Sequence, residues 1–189
     1  HMGDIEEAWP TRQGFDYAAF PIHQQGQLTI FHDDAADEEV SVGIGDNNYD
    51  DRYTLDGWLR TDASAMVTGV EGVRDQPVRE VGMKAGERWT EAKYHEMNVR
   101  YQNQTMEQLR KLAKADEPFF LQYWPLYPLT GPRTTTDEYT TPNGGIYVEK
   151  MKLVDRWIGD LMAEMDELGV ADNTLVIIMG DNGHFTKYS

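Results

Sequence analysis

The run Thr174-Leu175-Val176-Ile177-Ile178-Met179, followed at once by Gly180-Asp181-Asn182-Gly183, is the most informative part of this chain. An uncharged, almost wholly apolar stretch of this length, closed by turn residues, marks a strand covered on both faces, as in parallel sheets flanked by helices. Just before it, Val148, Met151, Val154, Ile158, Leu161, Met165 and Leu168 recur at three- and four-residue spacing. That period predicts an amphipathic helix over 147–168, and Gly169 stands where a C-terminal cap belongs.

The same pairing of helix and strand appears upstream. Tyr94, Met97, Tyr101, Thr105, Leu109 and Leu112 form one stripe, which predicts a helix over 91–115. Asp116-Glu117-Pro118 ends it, because proline disfavours helical geometry in the residue before it. Phe119-Phe120-Leu121-Gln122-Tyr123-Trp124 then reads as a second buried strand. Residues 91–189 thus run helix, strand, helix, strand. The strand-helix-strand part is a βαβ-type unit, so the fold class is α/β.

Outside this core the signals are local. Pro125 to Gly145 holds Pro125, Pro128, Pro132 and Pro142 and reads as a loop. Residues 53–90 mix short apolar stretches with Gly and Pro and show no assignable period. Between Asp33 and Asp51 there are eight acidic residues and no Lys or Arg, which predicts a solvated acidic loop or insertion. Asp46, Asn48 and Asp50 within it match the first three ligand positions of an EF-hand loop. The match fails at Asp51, where the turn needs Gly, and at Gly57, where the bidentate Glu belongs. Residues 1–32 read as loop-rich, punctuated by Trp9-Pro10, Gly14-Phe15-Asp16 and Phe20-Pro21.

Composition narrows the function classes. The chain has 189 residues, 33 Asp and Glu against 17 Lys and Arg, and a formal net charge of −16. This excludes nucleic acid and an anionic membrane surface as natural partners, since phosphate contacts need clustered Lys and Arg. No apolar run reaches the roughly 20 residues of a membrane-crossing helix. With 40% hydrophobic residues the chain can bury a core, and with 0 Cys it forms no disulfide, thiolate metal site or unmodified Cys nucleophile.

The chemistry concentrates after the last strand. Asp181 and Asn182 place a carboxylate and an amide oxygen side by side, hard donors suited to Ca²⁺ or Mg²⁺, with glycines that let the backbone turn both inward. Asp, Asn and Gly are also the residues that ordinary turns prefer, so the four residues alone support either reading. His184 is either a contact to a bound anion or a surface loop histidine. His23, His32 and His95 show no paired ligand spacing, and no H-x-H, H-x-x-x-H or H-E-x-x-H occurs. A G-x-S-x-G elbow and a G-x-x-x-x-G-K-[ST] phosphate loop are likewise missing from the sequence.

Three blocks, in order, resemble the type I sulfatases of the alkaline phosphatase superfamily. The first is His1-Met2-Gly3-Asp4 with Pro10-Thr11 and Gly14-Phe15-Asp16, similar to the family's K-x-H-x-G-D…P-T-x-x-G-F-D region. The second is Lys114 to Trp124, similar to its K-P-F-F-L segment. The third and most specific joins Val154-Asp155, Ile158-Gly159, Leu161, Leu168-Gly169 and Asp172-Asn173-Thr174-Leu175-Val176 to Asp181-Asn182-Gly183. The resemblance implies an alkaline-phosphatase-like sheet flanked by helices, incomplete within residues 1–189, and hydrolysis of sulfate esters by an arylsulfatase-like enzyme. It implies Asp181 and Asn182 as ligands of an active-site calcium, and His1, if native, as the histidine that orients or activates the nucleophile.

Departures from the pattern shape the expectation. The family nucleophile is a formylglycine made from Cys or Ser in C-x-P-S-R, a motif that does not occur in this sequence. Where the resemblance places a sulfate-binding histidine this chain has Leu129, with Tyr127 the nearest polar candidate. The lysine expected after Asp-Asn-Gly is not matched by Lys187. The chain therefore reads as the middle of a longer hydrolase, binding calcium weakly and inactive alone, with exposed strand edges that favour homo-oligomers. Two other readings stand beside it: a phosphonate or phosphate monoester hydrolase of the same superfamily, and a non-catalytic α/β module binding a cation or a protein.

Overall fold

The computed structural model describes residues 6–20, 31–32, 39–40, 60–62, 65–74, 76, 79–83, 91–115, 117–127 and 145–181. Two helices organise it: α1, Glu91–Leu112, and α2, Gly145–Glu167. Both lie where the three- and four-residue spacing put them. In α1 the stripe residues Met97 and Leu109 are each 2% exposed and Tyr101 is buried with them. In α2 Val154 and Met165 are buried, but Met151 is 43% exposed and Trp157 takes its place in the core. Trp157 lies three residues after Val154, so the buried line follows 154, 157 and 165, slightly rotated from the stripe read in the sequence.

The two helices run parallel. The Gln102 amide donates to the Trp157 carbonyl at 3.4 Å, and eight residues further along α1 Arg110 forms a double hydrogen bond with Glu164 at 2.8 and 2.6 Å. Partner numbers rise together along both helices, so their N-termini share one end. Glu164 holds the Arg110 guanidinium above its ordinary pKa, and that bond holds the Glu164 carboxyl below its own. At the far end α2 closes as expected: Gly169 adopts φ +70°, its N–H donates to Asp166, and Val170 N–H donates to Met165. This is the two-bond C-terminal cap that a left-handed glycine makes without steric cost.

Each helix leads into an extended segment. The first, residues 118–126, starts beyond the C-terminus of α1 and returns to its second turn, where Tyr127 bonds His95. Nine extended residues cover about 30 Å, close to the rise of the helix from His95 to Leu112. Burial alternates along it: Phe119, Leu121, Tyr123 and Pro125 are partly covered, while Phe120, Gln122 and Trp124 are exposed. That is strand geometry with one covered face, whereas the aromatic run predicts burial on both. Phe120 is 72% and Trp124 67% exposed. On the covered face the Tyr123 hydroxyl is buried with no hydrogen-bond partner among the described residues, and burial pushes its pKa up.

The second segment, 174–180, departs further from expectation. Leu175, Ile177, Ile178 and Met179 are 84%, 72%, 64% and 80% exposed, so a run read as covered on both faces is bare on both. Neither segment carries a backbone ladder, and no parallel strand pair forms among the described residues. The sequence pattern records an environment that strands acquire only when neighbours and a further helical layer cover them.

The sheet that does form lies where no period was assignable. Strand β1 is Tyr17–Phe20, β2 Phe31–His32, β3 Glu39–Val40, β4 Arg60–Asp62, β5 Ala65–Val73 and β6 Arg79–Met83. β5 is central: β1 and β4 pair along one edge and β6 along the other, all antiparallel. β2 and β3 form a separate two-stranded ribbon that reaches into the acidic stretch; the remainder of 33–51, including Asp46, Asn48 and Asp50, lies outside the described residues. Ala19 of β1 packs against the core formed by Met97, Tyr101, Leu126, Tyr127, Val154 and Trp157, which joins sheet to helices.

Candidate functional site

Asp181 sits directly after the extended run 174–180, at its carboxyl end, and is exposed. In α/β sheets this is the edge where ligands gather. The other residues drawn from the sequence, His1, Asn182 and His184, lie outside the described residues, as does Leu129. A calcium ion takes six to eight oxygen ligands. Among the described residues no three His, Cys, Asp or Glu side chains converge in a way that could hold a metal. Of the two oxygen donors drawn from the sequence, Asp181 is the one that lies within the described residues.

The first motif block resolves into a structural turn. Two short 3-10 turns, Glu6–Ala8 and Pro10–Arg12, lead to Gly14 at φ +105°, a conformation that favours glycine. Phe15 stacks near Phe120 with ring centroids 6.2 Å apart. Asp16 pairs with Arg74 at 2.9 Å, and Arg74 also donates to the Gly14 carbonyl. Arg12 reaches the Gln76 carbonyl at 3.3 Å. The G-F-D block thereby clamps the turn after β5 and packs on segment 118–126. Nearby, Thr11 is 1% exposed and its hydroxyl has no hydrogen-bond partner among the described residues.

Tyr127 stands at the centre of a cluster with His95, Lys150 and Trp157. It is 3% exposed, and its hydroxyl lies 2.9 Å from His95 Nδ1. Its ring stacks on His95 at 6.0 Å and 27°, and on Trp157 at 6.0 Å and 21°. The Lys150 ammonium stands 4.8 Å from the ring centroid, within cation–π range. The cluster lies at the shared N-terminal end of α1 and α2, where segment 118–126 ends. The sequence singled out Tyr127 alone. His95 showed no ligand spacing because its partner is 32 residues away, and no local period connects it to Lys150.

Among the described residues no helix is long and apolar enough to cross a membrane. No curated protein and no solved structure matches the chain. Residues 40–188, well over half of the 189, match the Sulfatase family, a span that takes in α1, α2, both extended segments and Asp181. The chain belongs to the sulfatase family, hydrolases of the alkaline phosphatase superfamily with an α/β fold.

Proposed function

We propose that this chain is the helix-bearing part of an arylsulfatase-like enzyme that cleaves sulfate esters of a small molecule or glycan. The observation that carries the reading is the family match over 40–188, which includes the Asp-Asn-Gly turn after the extended run. In this reading Asp181 and Asn182 donate oxygens to a divalent metal, Ca²⁺ or Mg²⁺, completed by ligands from outside the described residues. When bound, such a metal supplies Lewis-acid stabilisation of charge on the sulfate oxygens and leaving group. His1 orients the nucleophile, and His184 and Tyr127 belong to the substrate side. A formylglycine has no precursor in these 189 residues, since they hold 0 Cys and no C-x-P-S-R.

Two measurements test this. Incubated with an aryl sulfate and Ca²⁺, the 189-residue chain releases no phenol; metal-dependent turnover would refute the assignment of the nucleophile to another segment. The coding DNA upstream of codon 2 encodes a C-x-P-S-R-like motif. If no frame encodes one, the chain is instead a non-catalytic cation- or protein-binding module.

A further inference from the structure

Segment 174–180 is anchored at its start and bare thereafter. The Thr174 hydroxyl donates to the Val170 carbonyl at 2.7 Å, and Thr174 has φ −123° and ψ 124°, which is extended geometry. Leu175, Val176, Ile177, Ile178 and Met179 are all exposed, and no backbone ladder runs along them among the described residues. An extended apolar stretch without a ladder is a template for another strand. The order of its side chains says which strand fits. Turned end for end about Ile177, the stretch sets Leu175 opposite Met179, Val176 opposite Ile178 and Ile177 opposite itself. Leu and Met exchange at nearly constant volume, and cross-strand pairs of such side chains stabilise antiparallel strands. Beyond them Thr174 meets Gly180 and Asn173 meets Asp181, so no like charges oppose each other. A parallel in-register pairing would instead set Asp181 against Asp181. The stretch 174–180 is itself uncharged, which keeps the net charge of −16 off the contact. At about 60–120 Å² of apolar area per fully buried side chain, five on each copy cover at most about 1,200 Å², the low end of specific interfaces. That area suits a weak, concentration-dependent dimer.

We propose that residues 174–180 are an interaction surface for a second copy of this chain, pairing antiparallel about a two-fold axis through Ile177. The surface rests on the bare segment and is independent of the sulfatase reading. Because the chain has 0 Cys, a single introduced thiol reports the register. Directly opposite residues of an antiparallel pair have Cα atoms about 4.5–5.5 Å apart, within disulfide reach. The two copies of Leu175 lie about 13 Å apart, beyond it. Single-cysteine variants of the 189-residue chain, at about 0.1 mM, are incubated with oxidised and reduced glutathione. Two protein thiols become one disulfide as one oxidised glutathione becomes two reduced molecules. Ile177→Cys forms a linked dimer at least about fivefold faster than Met162→Cys, an exposed position on α2 that gives the collisional background. Leu175→Cys and Met179→Cys each stay at that background alone, and mixing the two raises linkage at least about twofold above it. Linkage of Ile177→Cys at the background rate overturns the axis, and no gain in the mixture overturns the pairing. Leu175→Cys linking alone as fast as the mixture overturns the antiparallel register in favour of a parallel one. Sedimentation of the wild-type chain as species larger than two copies overturns the two-fold closure.

Discussion

Replacing Leu175 and Ile177 together by Lys tests what the bare segment does. Leu175, Ile177 and Met179 alternate with Val176 and Ile178, so in an extended chain they share one face, and they are 84%, 72% and 80% exposed. Full burial of such a side chain is worth about 1.5–3 kcal/mol, so covering this face gains about 4–7 kcal/mol per chain. A two-fold dimer covers it twice, for about 7–14 kcal/mol before the cost of association, itself about 4–15 kcal/mol. With a mid-range gain of about 10 kcal/mol and a cost near the low end, about 5 kcal/mol, the balance predicts a self-associating chain with Kd of about 0.2 mM. The double substitution removes two of the three side chains on each copy, about 5–9 kcal/mol per dimer, which is three decades or more in Kd. Electrostatics predicts the opposite trend. Two added lysines reduce the repulsion between copies, taking the net charge from −16 to −14. Sedimentation velocity over a concentration series at about 0.15 M salt distinguishes them. A wild-type chain that stays monomeric up to about 1 mM, or a double-lysine variant that associates as well as wild type, refutes the reasoning.

Glu164 has its pKa lowered by the bond from Arg110, so its contribution to stability is present above the pKa of the unfolded carboxyl and lost as pH falls through the lower folded value. Urea midpoints measured against pH therefore fall in acid for the wild type, and Glu164→Gln removes that part of the fall. Gly159→Ala adds a methyl group to the middle of α2 where no atom lies within 4 Å; it raises stability by about 0.5–1 kcal/mol in urea melts. Gly169→Ala, at φ +70°, lowers stability by about 1–2 kcal/mol in the same assay, and equal effects at the two glycines would contradict the cap. Tyr123→Phe removes a buried hydroxyl without a partner among the described residues. It raises stability in urea melts by about 1 kcal/mol or less, and a clear loss of stability would mean that the hydroxyl is satisfied.

What the sequence revealed follows the range of the interactions. Both helices were legible because a helix records its environment every three to four residues, and Gly169 because a cap needs only local geometry. The covered face of 118–126 was half legible. Apolar Phe119, Leu121 and Pro125 face inward, but Phe120 and Trp124 are equally apolar and face out, so the composition could not separate the faces. β5 was illegible because Ala65, Thr68, Gly69, Glu71 and Gly72 interrupt any alternation; its place rests on antiparallel partners up to 56 residues away, as in Tyr17 opposite Val73. Asp181 was visible as a motif in the sequence, whereas the pairing of His95 with Tyr127 was not, because it joins two segments through tertiary packing.

The exposed apolar residues and the parallel helices bear on one question. A pair of parallel helices, each followed by an extended segment, is half of a layered α/β arrangement, and only one face of 118–126 is covered: Phe119, Leu121 and Tyr123 are partly buried while Phe120 and Trp124 face solvent. Soluble proteins rarely leave such a face uncovered, because each bare aromatic forfeits about 1.5–3 kcal/mol of burial. The polar groups show the reverse. Tyr127, His95, Lys150 and Trp157 are already packed at the end where both helix N-termini meet. The Tyr127 cluster is thus assembled from contacts within this chain, while Asp181 follows a bare segment. On that division the packing around Tyr127 should persist in the 189 residues alone, whereas any metal binding proposed for Asp181 should depend on whatever covers Leu175 to Met179.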